Sequence, residues 1–93
     1  MRYRCHVEVD LKPGLLDPQG KAVEGSLPAM GWTNVSNVRI GKSISLDLEA
    51  PDQEAAMAQV HEMAERLLSN PVIELFVVRG VQENPGLALE DHP

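Results

Sequence analysis

An α+β fold with two helices on one face of an antiparallel sheet is predicted by three features of the 93-residue sequence. Apolar and polar residues alternate from Tyr3 to Leu11 and again from Val38 to Leu48, the period of half-buried strands. Apolar residues at three- and four-residue spacing follow Asp17-Pro18 and Pro51-Asp52, the pattern of helices with one buried stripe. The short run from Val72 to Val78 is apolar on both faces. In chain order these elements read β-α-β-β-α-β, the ferredoxin-like arrangement. One domain is expected over residues 1–81, followed by an acidic, flexible tail over residues 82–93.

The first strand places Tyr3, Cys5, Val7, Val9 and Leu11 on one side and Arg4, His6, Glu8 and Asp10 on the other. Lys12-Pro13-Gly14 stops it, and Asp17 is a helix N-cap with Pro18 at the first helical position. The first helix is expected from about Pro18 to Met30, with Val23, Leu27 and Met30 inward and Ala22 beside them. Gly20, Gly25 and Pro28 weaken it, so packing on the sheet has to hold it. Gly31 suits its C-terminal cap.

Between Val38 and Leu48 the alternation keeps one phase throughout. A hairpin with the three-residue loop Gly41-Lys42-Ser43, pairing Ile40 with Ile44, preserves that phase and is the preferred reading. One bent strand over residues 35–49 preserves it as well. The second helix opens at Pro51-Asp52 and turns Met57, Val60, Ala64 and Leu67 inward, with Ala56, Met63 and Leu68 at the flanks. It is expected to end at Asn70 in the left-handed cap conformation, before Pro71. In the last strand Val72, Phe76 and Val78 share one face and Ile73, Leu75 and Val77 the other. Helices can cover only one of these, so Val72, Ile73, Leu75, Phe76, Val77 and Val78 are candidates for an oligomer interface.

Composition narrows the function. A single domain of this size buries about 60–65% of its unfolded surface, and one cysteine, Cys5, supplies neither a disulfide framework nor a cysteine zinc cluster. Association with other chains is the remaining source of stability. Fourteen acidic residues against eight basic ones give a formal charge of −6, which argues against nucleic acid as a partner. No apolar run is long enough to span a bilayer, and the start of the chain is unlike a signal peptide, so a soluble cytoplasmic protein without membrane contact is expected.

No catalytic, cofactor-binding or metal-binding constellation is expected on this chain. Gly41-Lys42-Ser43 resembles the end of a phosphate-binding loop, but Ser36 stands where the first glycine belongs and strand sequence follows where a helix is required. His6, His61 and His92 have no metal-ligand spacing, because Glu65 occupies the position where a second histidine would complete the zincin pattern after His61-Glu62. Cys5 falls on the apolar phase of its strand, where a thiol packs as a small hydrophobe.

Four blocks of the sequence carry a resemblance to a known family. The stretch Leu11-Lys12-Pro13-Gly14-Leu15-Leu16-Asp17-Pro18-Gln19-Gly20 is similar to the opening of PurS proteins. Met30-Gly31-Trp32 resembles the family's first-helix exit, Val38-Arg39-Ile40-Gly41-Lys42 its second-strand signature, and Leu67-Leu68-Ser69-Asn70-Pro71-Val72-Ile73-Glu74 its helix-to-strand junction. The blocks span about residues 3–79 in the right order.

The resemblance implies a non-catalytic subunit of phosphoribosylformylglycinamidine (FGAM) synthase, a glutamine-using, ATP-dependent C–N ligase complex of purine biosynthesis. Its implied partners are the synthetase subunit PurL, which uses ATP and Mg, the glutaminase subunit PurQ, and further copies of itself as a dimer or tetramer. Its implied work is to bridge the two enzymes and support ammonia transfer. Asp17, Pro18, Gln19, Gly20, Gly41, Lys42, Asn70 and Pro71 are then candidates for the partner-facing surface, although caps and turns alone account for the same residues. A dimeric small-molecule regulatory domain of ferredoxin-like type is the alternative.

Overall fold

The structure is a computed structural model that describes residues 1–83. Strand β1 runs from Arg2 to Leu11, helix α1 from Pro18 to Ser26, strand β2 from Lys42 to Glu49, helix α2 from Gln53 to Met63 and strand β3 from Glu74 to Glu83. A short 3₁₀ turn, Pro28–Met30, follows α1, and a π-helical turn, Ala64–Leu68, follows α2. The sheet is antiparallel with β1 in the centre, in the order β2-β1-β3. The expected α+β class is present: an antiparallel sheet and two helices. Beyond Glu83 the expected tail lies outside the described residues.

The alternation read from β1 is realised residue by residue. Tyr3, Cys5, Val7 and Val9 are buried beneath α2, which contributes Ala56, Val60 and Ala64. Complete burial of a valine is worth about 1.5–3 kcal/mol, and Val7, Val9, Val60 and Cys5 are the largest fully buried side chains. Burial also raises the pKa of the Cys5 thiol, with the nearby Asp47 carboxylate adding to the effect. Opposite β1, the register slips between His6 and Val7, so that His6 pairs with Gly80 and Val7 with Val78. Arg79 is the extra residue of this bulge, and Val81 is thereby turned into the core.

Three expectations are corrected by the backbone. Residues 38–41 form no strand, so neither the hairpin nor a bent strand beginning at residue 35 exists, and Lys42 and Ser43 belong to β2. The reason is where the amide hydrogens go: Val38 N–H donates to Glu24 Oε1 and Ile40 N–H to Asp17 Oδ2. The sheet consequently has three strands among the described residues. Asn70 has no left-handed backbone, because α2 and its π turn end at Ser69 in an extended conformation. Asn70 instead opens a turn, accepting from Val72 N–H with its side chain and from Ile73 and Glu74 N–H with its carbonyl. Val72 lies in that turn, outside the strand, and is exposed.

The helices also differ in their packed faces. Asp52 caps α2 as its position predicts, accepting from Ala55 N–H at 2.8 Å. Val60 and Ala64 point inward, but Leu67 is 81% exposed and Leu68 takes its place against the core. The π turn supplies the cause. Ser69 N–H reaches Ala64 O, five residues back, which inserts one residue into the helical repeat and rotates Leu67 outward. Met57 is likewise exposed, and Ala56 fills the inner position. Helix α1 departs further, since it gives no side chain to the core and Gly20 is its only buried residue.

Asp17 ties α1 to the stretch before β2. Its carboxylate accepts from Gly20 N–H at 2.8 Å and from Ile40 N–H at 2.7 Å, and the residue is 4% exposed. Those bonds, led by the one from Gly20, lower its pKa below the ordinary carboxylate value, with the Arg39 charge assisting. A depressed folded-state pKa means stability that is present above the unfolded carboxylate range and lost as pH falls through the folded value. Replacing Asp17 by Asn keeps one acceptor but turns an amide donor toward a second N–H. Urea unfolding of Asp17→Asn is therefore expected to show a lower midpoint than wild type at neutral pH, with the gap closing as pH drops below the usual carboxylate range. A constant gap across that range would show that the carboxylate charge is not what holds the loop. Gly20→Ala drives a Cβ into the Val38 carbonyl oxygen. Its expected cost is about 1–3 kcal/mol in the same unfolding measurement.

Candidate functional interface

The end of the chain that carries α1 begins with a proline-glycine turn, Pro13-Gly14. Gly14 adopts a positive φ of 89°, and the loop it shapes presents the carbonyls of Lys12 and Leu15 to one guanidinium. Arg39 donates to Leu15 O at 2.7 Å and to Lys12 O at 3.2 Å, so it fastens the loop after β1 to the stretch before β2. Asp17 fastens α1 to the same stretch from the other side. Gly41 lies so close to Asp10 and to the Val9 carbonyl that a side chain there has no room.

These contacts enclose a cleft of about 340 Å³ lined by Asp17, Pro18, Gln19, Gly41 and Lys42 together with Ile40 and Glu74. Five of the predicted partner-facing residues thus meet in one place. Gly20 supports the wall from behind, where it packs on Val38. Asn70 and Pro71 do not line the cleft, but Glu74 connects them to it. One carboxylate oxygen, Oε1, accepts from Asn70 N–H at 2.6 Å, and the other, Oε2, pairs with Lys42 Nζ at 3.5 Å.

Glu74 and Arg39 are the residues that reasoning from sequence passed over. Glu74 had a readable signal: it sits on the same strand phase as Phe76 and Val78, where a carboxylate is out of place unless something holds it. Arg39 alternates with aliphatic residues and reads as a solvated strand residue, so its two carbonyl acceptors were not visible.

The outer side of the sheet divides in two. Across β1 and β2 it is polar: Arg4 Nε donates to Asp47 Oδ1 at 3.2 Å, and His6 sits between Ser45 and Ser43, 3.2 and 2.9 Å from their hydroxyls. Along β3 it is apolar, with Leu75 51% and Val77 46% exposed and Ile73 beside them. Phe76 and Val78 face inward and pack against the core, and Phe76 also meets His61 edge-on with ring centroids 5.0 Å apart. Of the six oligomer-interface candidates, Ile73, Leu75 and Val77 therefore form an outward strip, whereas Phe76 and Val78 are accounted for within the chain. Arg79 closes the strip with an ion pair to Glu8 at 3.0 Å.

Comparison with known proteins shows the family. The model of the family described as PurS, phosphoribosylformylglycinamidine (FGAM) synthase, matches residues 4–82. The chain is 50% identical over 74 residues to phosphoribosylformylglycinamidine synthase subunit PurS of Synechocystis sp., covering 80% of this chain and 74% of that one. With the corresponding subunit of Bacillus subtilis it shares 46% identity over 72 residues, 77% of this chain and 84% of the relative. Thermus thermophilus PurS superposes with a TM-score of 0.80 at 38% identity, covering 91% of this chain and all of that one. A chain from the structure of PurLQS from Thermotoga maritima superposes with a TM-score of 0.78 at 34% identity, covering 85% and 96%. By sequence and by fold the chain thus belongs to the PurS family, a subunit of FGAM synthase.

Proposed function

We propose that this chain is the non-catalytic scaffold of an FGAM synthase complex, bridging a glutaminase subunit, PurQ, and an ATP-dependent synthetase subunit, PurL, in cytoplasmic purine biosynthesis. The observation that carries the reading is the braced cleft at the α1 end. Its walls are fixed by backbone hydrogen bonds to Asp17, Arg39 and Glu74, which is how a docking surface is held rigid before a partner arrives. No described helix is long and apolar enough to cross a membrane.

Ammonia released at one active site is useful at another only if it is delivered before it is protonated or diluted. A subunit that fixes the relative position of the two enzymes supports turnover without touching a reacting bond. Nucleotide and Mg²⁺ are handled by the synthetase, and this chain supplies no cofactor site. The cleft residues Asp17, Pro18, Gln19, Gly41 and Lys42 meet a larger subunit. The outward strip of Ile73, Leu75 and Val77 joins copies of the chain into a homo-oligomer, since an exposed apolar strip bounded by the Arg79–Glu8 pair has the make-up of a subunit contact.

Reconstitution tests this. FGAM formation is measured with glutamine and with ammonium as nitrogen source, using the synthetase and glutaminase with and without this chain. Glutamine-dependent turnover is expected to fall to near background when the chain is omitted, while ammonium-dependent turnover persists; unchanged glutamine-dependent turnover would refute the scaffold. Lys42→Ala removes an exposed charge whose pairing with Glu74, at the surface, adds little to folding stability. The concentration of this chain giving half-maximal glutamine-dependent turnover is expected to rise about two- to fivefold, the scale of one screened ion pair.

A further inference from the structure

The loop between β1 and α1 holds two leucines out of the fold. Leu16 is 68% exposed and Leu15 39%, and neither belongs to the core or packs against it. The backbone that carries them is braced on both sides. Leu15 N–H donates to Lys12 O at 3.2 Å, and the Arg39 guanidinium grips the carbonyls of Lys12 and Leu15. Asp17, directly after Leu16, is anchored to Gly20 and Ile40. An exposed leucine on a fixed backbone leaves little freedom for binding to remove.

The charge around these leucines runs against that of the chain, which carries a net −6. Lys21 and Arg39 are exposed and line one hollow with Leu15 and Leu16, and Lys12 belongs to the same loop. Lys12 and Lys21 form no ion pair among the described residues, and the printed bonds of Arg39 go to neutral carbonyls. The acids of the hollow are withdrawn: Asp17 is buried, and Glu24 is half-buried and accepts from Val38 N–H.

We infer that Leu16, with Leu15 beside it, is an anchor that enters an apolar pocket rimmed by carboxylates on the larger subunit that fills the cleft. The inference rests on the scaffold reading above and adds to it the chemistry of the partner's surface. Charge selects that chemistry, since a carboxylate rim meets Lys12, Lys21 and Arg39. Continuity selects the subunit, since Asp17 lines both the cleft and the hollow beside the leucines. The acidic end of the same chain is too short to be the occupant. Glu83 lies opposite Tyr3, so the loop after Leu11 is about 27 Å away along β1, whereas Leu87 and Leu89 lie at most about 14 and 20 Å from Glu83.

Thiol protection in the full chain tests the anchor. Leu16→Cys is alkylated with iodoacetamide alone, with the synthetase, with the glutaminase and with both, while Cys5 is shielded by burial. Alkylation is expected to be fast in the chain alone and about tenfold slower with one larger subunit at about ten times its dissociation constant, where about a tenth of the chain is free. A thiol already protected in the chain alone would mean that a second copy covers the loop, and would overturn the proposal. An unchanged rate in a mixture that makes FGAM from glutamine would overturn it and leave the scaffold intact, whereas a chain that fails to raise glutamine-dependent turnover removes both. Leu16→Asp, with circular dichroism and sedimentation unchanged, is expected to raise the half-maximal concentration for turnover at least about tenfold. The double variant Lys12→Glu with Lys21→Glu is expected to raise it too, by a factor that shrinks at high salt. A wild-type value in either variant would exclude the acid-rimmed pocket.

Discussion

The structure depends on the two hydrogen bonds accepted by the Asp17 carboxylate. A backbone N–H removed from water must find an acceptor, and in an alternating sequence such as Val38 to Leu48 the expected acceptor is a neighbouring strand. Here Ile40 N–H is given to Asp17 and Val38 N–H to Glu24, both from the α1 end of the chain. Because those groups are satisfied by side chains, the ladder begins only at Lys42, and the segment before it becomes the floor of a cleft in place of a fourth strand. The same carboxylate caps α1. Helix position, strand boundary and cleft wall are thus set by one residue.

The cost of this arrangement is a thin core. The described chain closes one layer of small aliphatic side chains, Val7, Val9, Val60 and Ala64 among them, between the sheet and α2. Leu75, Val77, Val23 and Met30 stay outside it. A domain of this size has little net stability to draw on, and association that buries such surface adds to it by mass action. The hydrophobic excess on the surface and the shallow interior are therefore one fact seen from two sides, and both follow from a helix that does not cover its own sheet.

How far this could be read from the residues varies by element. Strand β1 was fully legible, because period two in a strand has no competing local chemistry and each odd residue could only go inward. The caps at Asp17 and Asp52 were legible for the same local reason. Of the inner positions of α2, Val60 and Ala64 were read correctly, Met57 gave way to Ala56, and Leu67 failed since a single π-type bond to Ala64 O shifts the repeat and nothing in the composition of Ala64 to Leu68 announces it. The hairpin failed because period two records which way side chains point and not what the backbone bonds to. At Asn70 a residue suited to the left-handed region adopted a side-chain-closed turn, an alternative its amide makes equally available. Five of the candidate partner-facing residues line one cleft, but that they and Asn70 are linked through Glu74 required the third dimension.

Glu74 shows how a small chain without reactive groups can serve two kinds of contact. Its carboxylate reaches Asn70 on one side and Lys42 on the other, which fixes where β3 begins relative to the cleft. The next residue, Leu75, points to the opposite face of the sheet and belongs to the outward apolar strip. Successive residues of one strand therefore belong to the cleft and to the strip, separated by a single peptide unit that is hydrogen-bonded to β1 along its length. Pairing with β1 restrains the φ and ψ angles of both residues, so little motion of one face relative to the other is left to the strand. Whatever binds the cleft is positioned against whatever binds the strip, and that fixed relation is the physical content of a scaffold.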